Sequence, residues 1–529
     1  MRIHYIGLLS AGLLMLTSQT WAQTGEGLIK NKCRLCHTTV KTKKAPPAPT
    51  WQRISQQRKT PEGWLMTIAR MQLIHDLKIT QEERRTLVKY LADRQGLAPQ
   101  ESAPFRYILE TRLNTREKID NSLFAEMCAR CHSGARVGLQ RRTEEEWRKL
   151  VHFHLGQFPT LEYQAMGRDR DWFPIALNKM VPYLAKTYPF TSDAWTAWQK
   201  QKAVNLAGAW RITGRLPEKG AYVGTLNATE TSTDHYDLTF TGHTLADNKP
   251  LTGKGSAIVY TNYEWRGSLT LDGVKMRQVL QSNQAGDQLT GRMFSKKDEN
   301  LGGDVTAIRG TNQLLTTYPR YLKVGSSTTL SLLGSDLAGK ISTPDTIKVD
   351  KIISQNSQEI QLAVTVSDAA KTGTQQISVG KNKIAITVYD KIARIGVEPA
   401  YAVARVGGAD APTPKAHAHF DAVAYSAGKD GKAGTADDQR IGIMPASWAV
   451  SPFDAQAKAD KDIEFAGKMN AETGLFVPAV AGPNPKRKFS TNNAGNLKVT
   501  ASVKEGETTL TGDGQLIVTV QRWNNPPIR

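Results

Sequence analysis

Cys33-Arg34-Leu35-Cys36-His37 and Cys128-Ala129-Arg130-Cys131-His132 decide how this chain is read. Each fits C-x-x-C-H, the spacing at which two thiols add across the vinyl groups of a haem while the adjacent histidine supplies an axial nitrogen to the iron. The chain has four cysteines, and the two motifs use all of them. A redox-active or zinc-binding C-x-x-C is the alternative for either motif alone. A histidine directly after the second cysteine, twice, argues against it. Two covalently bound haem c groups are therefore expected, attached at Cys33, Cys36, Cys128 and Cys131, with His37 and His132 as first axial ligands.

The N-terminus explains how haem would be attached. Arg2 gives a positive start, residues 6–16 form an apolar run, and Thr20-Trp21-Ala22 puts small residues around a cleavage point near Ala22. That is the pattern of a secretory signal peptide. The run is shorter than the ~20 apolar residues a membrane span needs, and no later segment is long enough. The expectation is an exported chain with no membrane span, in the periplasm of a Gram-negative cell. Lys plus Arg exceed Asp plus Glu by 69 to 49, a net +20. The excess is uneven: residues 23–195 carry 29 basic against 18 acidic side chains. Such a surface would steer an acidic partner. Nucleic acid is discounted, because the compartment is wrong and no basic-aromatic binding module is visible.

The 529 residues are too many for one core. Up to about residue 195 the pattern is helical, with apolar residues at three-to-four spacing over 62–74, 81–93, 143–155 and 175–186. Beyond it, short β-branched and aromatic runs alternate with Gly, Asn, Asp and Ser clusters, as in Tyr236-Asp237-Leu238-Thr239-Phe240. The expected fold is multidomain: an all-α tandem dihaem cytochrome c domain followed by all-β domains, a small antiparallel barrel and two immunoglobulin-like sandwiches. The expected divisions are a signal peptide (1–22), cytochrome c units at 23–110 and 111–196, an antiparallel β-barrel at 197–311, an immunoglobulin-like β-sandwich at 312–391, and a larger one with insertions at 392–529.

The helical part reads as an internal repeat. Leu28-Ile29 and Leu123-Phe124 each precede a haem motif by four to five residues. Trp64 and Trp147 each open a helix behind acidic residues that suit its positive end. Val88-Lys89-Tyr90-Leu91-Ala92 matches Val181-Pro182-Tyr183-Leu184-Ala185, a run that resembles the C-terminal helix of cytochrome c folds. Seven residues is nearly two helical turns, so position +7 faces the same way as position 0. Seven after Trp64 is Met71, and seven after Trp147 is His154. The expected pairs are His37/Met71 and His132/His154. His75, His152 and Met166 are rivals for the sixth positions. Methionine sulfur favours ferrous iron, so electrons should run from the bis-histidine haem to the His/Met haem.

After residue 200 there is no Gly-x-Ser-x-Gly, no His-Glu-x-x-His and no dinucleotide fingerprint next to a helix. His417-Ala418-His419 places two imidazoles on one strand face, a candidate metal pair better read as a solvated face. Asp430-Gly431-Lys432-Ala433-Gly434-Thr435-Ala436-Asp437-Asp438 has the look of a calcium loop but lacks the carboxylate spacing of an EF-hand, so a glycine-rich turn is the better reading. The β domains read as scaffold or docking surface.

The combination resembles the large haem-bearing α subunit of quinohaemoprotein amine dehydrogenase across essentially the whole mature chain. The resemblance is carried by the CRLCH and CARCH motifs, the Met71/His154 pair, Tyr260-Thr261-Asn262-Tyr263-Glu264-Trp265-Arg266-Gly267, and Gly428-Lys429-Asp430-Gly431-Lys432-Ala433-Gly434-Thr435. It implies a heterotrimer with a β-propeller subunit and a small subunit carrying cysteine tryptophylquinone. It also implies oxidation of a primary amine to aldehyde and ammonia on that quinone. Electrons would then pass singly through this chain to an external periplasmic cytochrome c or a cupredoxin, and this chain would hold no catalytic residue of the amine chemistry. A free-standing dihaem cytochrome c electron carrier with β docking domains and a dihaem peroxidase are the other readings. A peroxidase needs an open or releasable sixth position.

Overall fold

The computed structural model describes residues 24–39, 50–162, 170–408, 413–488 and 491–520. The expected signal peptide, residues 1–22, lies outside the described residues, as does Met166. Among the described residues strand outweighs helix, 42% against 23%.

The N-terminal region corrects the expectation of an all-α tandem dihaem cytochrome c domain. Its helices are interrupted by a two-stranded sheet in which Gln57–Lys59 pairs antiparallel with Gln140–Arg142. Nothing in Gln-Arg-Lys or Gln-Arg-Arg alternates apolar and polar, so no periodicity announces these strands. They form because a partner far along the chain satisfies their polar groups. Arg58 lies opposite Arg141, and two like charges so placed repel. Glu101 resolves this by accepting from Arg58 twice at 2.8 Å and from Arg141 at 3.1 Å. The Trp195 ring covers the Arg58 guanidinium at 4.9 Å.

Each strand leads into a helix built the same way. Thr60 caps Pro61–Ile74, its hydroxyl accepting from the Gly63 amide at 3.3 Å. Thr143 caps Glu144–Gln157, accepting from the Glu146 amide at 3.3 Å. Trp64 and Trp147 follow at equal distance and are 1% and 0% exposed. Pairing of equivalent strands in opposite directions around Arg58 and Arg141 gives this part of the repeat an approximate two-fold relation.

Beyond it, eight antiparallel strands from Gly208–Leu216 to Gly302–Ile308 close into a barrel. In His235–Thr244, Tyr236, Leu238 and Phe240 are buried while Asp237, Thr239 and Thr241 are exposed, the period of two that a barrel wall requires. The interior is filled by side chains, with the Tyr236 and Trp265 rings stacked at 5.6 Å.

The last two units each gather their sheets around one core. Residues 313–389 form two four-stranded sheets, one containing a parallel pair between Tyr321–Lys323 and Asn382–Tyr389. The final part has sheets of three, four and three strands around one core. The last of these sheets is built from Ala418–His419, Leu475–Pro478 and Gly467–Met469.

The barrel is bolted to the haem-motif region by the hairpin tip between Pro250–Tyr260 and Glu264–Leu271. Thr261 adopts φ +54°, rare for a β-branched residue. That turn aims its amide at the Asp93 carboxylate, 2.8 Å, and its hydroxyl at the Ala92 carbonyl, 3.0 Å. Gly96 lets it approach, since a Cβ there would meet the Thr261 hydroxyl at 2.6 Å. Tyr263 donates to the Leu97 carbonyl at 3.1 Å. A buried chain of charge then runs from Glu62 through Arg266 and Glu264 to Arg106 and Glu110, each step 3.2 Å or less. Breaking one such buried pair costs about 3–5 kcal/mol.

Candidate haem sites

Each haem motif ends a short helical run. Ile29–Cys33 is a π-helical turn continuing Gly25–Leu28, and Ser122–Cys128 is an α-helix whose N-cap Asn121 accepts from the Phe124 amide at 2.8 Å. Leu28 and Ile29 pack with Trp51, Trp64 and Ile68 against Cys33, and Phe124 packs with Trp147 and Val181 against Cys128. The paired helices are close. Tyr90 lies where a Cβ on Gly25 would be, and the rings of Phe124 and Tyr183 are 5.9 Å apart.

Three histidines are anchored through Nδ1. His37 Nδ1 is 3.1 Å from the Gln52 carbonyl oxygen, His132 Nδ1 is 2.9 Å from that of Ser133, and His154 Nδ1 is 2.8 Å from that of Leu150. A carbonyl can only accept, so Nδ1 carries the proton and Nε2 keeps its lone pair. A fixed Nδ1 partner is the support metal-bound histidines normally have. Burial holds all three imidazoles below the ordinary histidine value, outweighing these hydrogen bonds. They are thereby kept neutral, the ligating form. Burial pushes the Cys128 thiol up to about 12, and burial with Cys36 close by pushes Cys33 up to about 11. Redox-active C-x-x-C sites do the opposite and depress a thiol.

The second motif forms a cavity. Cys128, Cys131, His132 and His154 line one space of about 740 Å³, within the ~300–1,000 Å³ typical of cofactor pockets. His152 is exposed, its ring edge against Phe173 at 5.1 Å, and does not line the cavity. The space fits a haem on a separate ground. The Trp147 indole N–H is buried in its wall with no hydrogen-bond partner, whereas the equivalent Trp64 N–H donates to the Gln95 carbonyl at 3.0 Å.

Around the first motif, Met71 is half-buried on the face of Pro61–Ile74 that carries Trp64 and Ile68, both packed in the cluster around Cys33. His75 is exposed just past the helix end, near enough to His37 for its charge to depress that imidazole. Residues 40–49, which follow the motif, lie outside the described residues. His37, Cys33 and Met71 do not line the cavity of the second motif.

Arg70 and Arg136, on that cavity wall, were missed in the sequence. Arg70 belongs to the first half, and only the fold brings it to the second motif. A signal was present: neighbours on a helix point about 100° apart, so a helix presenting Met71 to one haem turns Arg70 elsewhere.

The other candidates have partners already. His417 binds Asp298 of the barrel through its amide, 2.6 Å, and Nδ1, 2.8 Å. Asp437 accepts from Thr435, and Asp438 from Arg394 and the Gly434 amide. Among the described residues no group of three or more His, Cys, Asp or Glu is placed to hold a metal ion, and no helix is long and apolar enough to cross a membrane.

Comparison with known proteins agrees with the motifs. Four family models match in succession: quinohemoprotein amine dehydrogenase A, alpha subunit, haem binding, over residues 23–195, then the same subunit's domain II over 203–310, domain III over 311–390 and domain IV over 395–528. No curated protein matches. Among solved structures, a de novo designed fluorescence-activating β-barrel is 24% identical, covering 20% of this chain and 93% of its own, with TM-score 0.17. A Bacteroides ovatus mixed-linkage glucan utilization locus protein, SGBP-B, is 11% identical, covering 60% of this chain and 68% of its own, with TM-score 0.17. Likeness at these scores carries no argument. The family matches run through nearly the whole chain and open on a haem-binding segment that contains both C-x-x-C-H motifs, and the chain therefore belongs to the quinohaemoprotein amine dehydrogenase α-subunit family.

Proposed function

We propose that this chain is the dihaem c electron-transfer subunit of a periplasmic amine dehydrogenase. It takes single electrons from a cysteine tryptophylquinone on a small partner subunit, within a heterotrimer completed by a β-propeller subunit, and gives them to an external cytochrome c or cupredoxin. The reading rests on one observation above the rest: Cys128, Cys131, His132 and His154 line a single cavity, with both imidazoles anchored through Nδ1. Bound haem supplies one-electron redox chemistry. The protein would tether it by two thioethers and ligate the iron through His37 and Met71 in one site and through His132 and His154 in the other, a choice that would set the two potentials.

The test is purification of the native complex. Mass spectrometry of the intact assembly should find this chain with a propeller and a quinone-bearing subunit, and a primary amine added without oxygen should reduce the haems. A chain that purifies alone, unreduced by amines, would favour the free-standing carrier. Rapid peroxide turnover with a high-spin haem would favour the peroxidase.

A further inference from the structure

The wall of the second cavity carries more positive charge than its protein neighbours neutralise. Five cations contribute: Lys59 and Arg70 from the first half, and the exposed Arg130 with Arg136 and Arg142 from the second. Two are accounted for. Arg142 pairs with the buried Glu146 at 3.7 Å, and Lys59 donates to the Thr67 hydroxyl at 2.6 Å over the Trp64 ring. Arg70 and Arg136 are different. Both are half-buried, and neither has a carboxylate within 4.0 Å among the described residues. Arg70 has only the face of Phe153, 4.7 Å away. Both guanidinium groups belong to the wall of one cavity. Two mutually repelling, partly buried cations are costly unless an anion joins them.

We propose that Arg70 and Arg136 bind the propionate carboxylates of the haem attached at Cys128 and Cys131. The inference rests on the haem reading above and adds a cross-half clamp: the helix Pro61–Ile74, which belongs to the first motif's unit, closes the second haem's site. Arg70 and Met71 would then serve different haems from consecutive positions on one helix. Positive charge beside a haem favours the ferrous state, so these arginines raise the potential of the bis-histidine haem and narrow its gap to the other.

The test uses Arg70→Gln and Arg136→Gln in the full complex, with haem content and the potential of each haem measured by spectroelectrochemistry. Haem content should stay at two. At fixed potential the reduced-to-oxidised ratio of the second haem should fall roughly ten-fold in each variant, about 59 mV for one electron. Arg136→Gln should leave the first haem unmoved, and Arg70→Lys should restore the wild-type value. Full haem content with the second haem's potential unchanged in both glutamine variants would overturn the proposal. A wild-type chain with no haem at Cys128 would instead remove the reading beneath it.

Discussion

The two haem-motif units share a scaffold and differ where a cofactor would be touched. Thr60 and Thr143 cap equivalent helices at the same 3.3 Å distance, Trp64 and Trp147 are equally buried, and Gln57–Lys59 pairs with its own counterpart Gln140–Arg142. The side chains at matching positions then diverge. Trp64 spends its N–H on Gln95 while Trp147 keeps its own unpartnered in a cavity wall. Position +7 is methionine in one and histidine in the other. Glu62 is buried against Arg266 of the barrel, whereas its counterpart Glu145 is exposed and pairs with Lys149 one turn along. Duplication has kept what builds the helix and changed what meets haem and barrel. The first unit is buttressed from outside, and the second borrows a wall from the first.

The comparison can be broken most severely at the attachment points. Replacing Cys128 and Cys131 together by serine should halve the haem content and leave the haem at Cys33 and Cys36 in place, as read by the pyridine haemochrome and peptide mass. Loss of both haems would mean that the units do not hold cofactor independently. Next in size is the buttress. Glu62→Gln breaks a buried pair and should cost about 3–5 kcal/mol in denaturant unfolding, while Glu145→Gln should change little. Burial works to raise the Glu62 carboxyl, but Arg266 and Arg277 outweigh it and bring it down to about 2. A carboxylate lowered in the folded state stabilises above its unfolded value, near 4.5, and that stabilisation is lost as pH falls toward about 2. Acid titration of stability should therefore lose this contribution in Glu62→Gln and keep it in Glu145→Gln.

Met71→Ala should shift the higher-potential haem and leave the other nearly untouched. A change confined to the lower-potential haem would reverse the ligand pairing. The smallest effect is the most symmetric one. Thr60→Ala and Thr143→Ala each remove one N-cap hydrogen bond and should each cost about 1 kcal/mol. Unequal costs would show that the shared scaffold is shared in sequence only.

What could be read in advance follows from how local each signal is. The haem motifs are legible because covalent chemistry demands both thiols and the histidine within five residues. The Trp-plus-seven register is legible because a helix repeats at short range. The strand pair was hidden, since Gln-Arg-Lys owes its strand to a partner 83 residues away and to the carboxylate of Glu101 between two arginines. Arg70 was hidden for the same reason: its place on the second cavity depends on how the units meet. The hairpin tip at 260–264 was noticed as a string, but only its contacts with Asp93, Ala92 and Leu97 show that it is the bolt between barrel and haem-motif region.

The most direct measurement is the denatured mass of this chain from the purified complex, followed by peptide mapping. The account predicts the cleaved chain plus two haems, one on the peptide with Cys33 and Cys36 and one on that with Cys128 and Cys131. A colourless chain, or one whose mass equals the bare polypeptide, would contradict it.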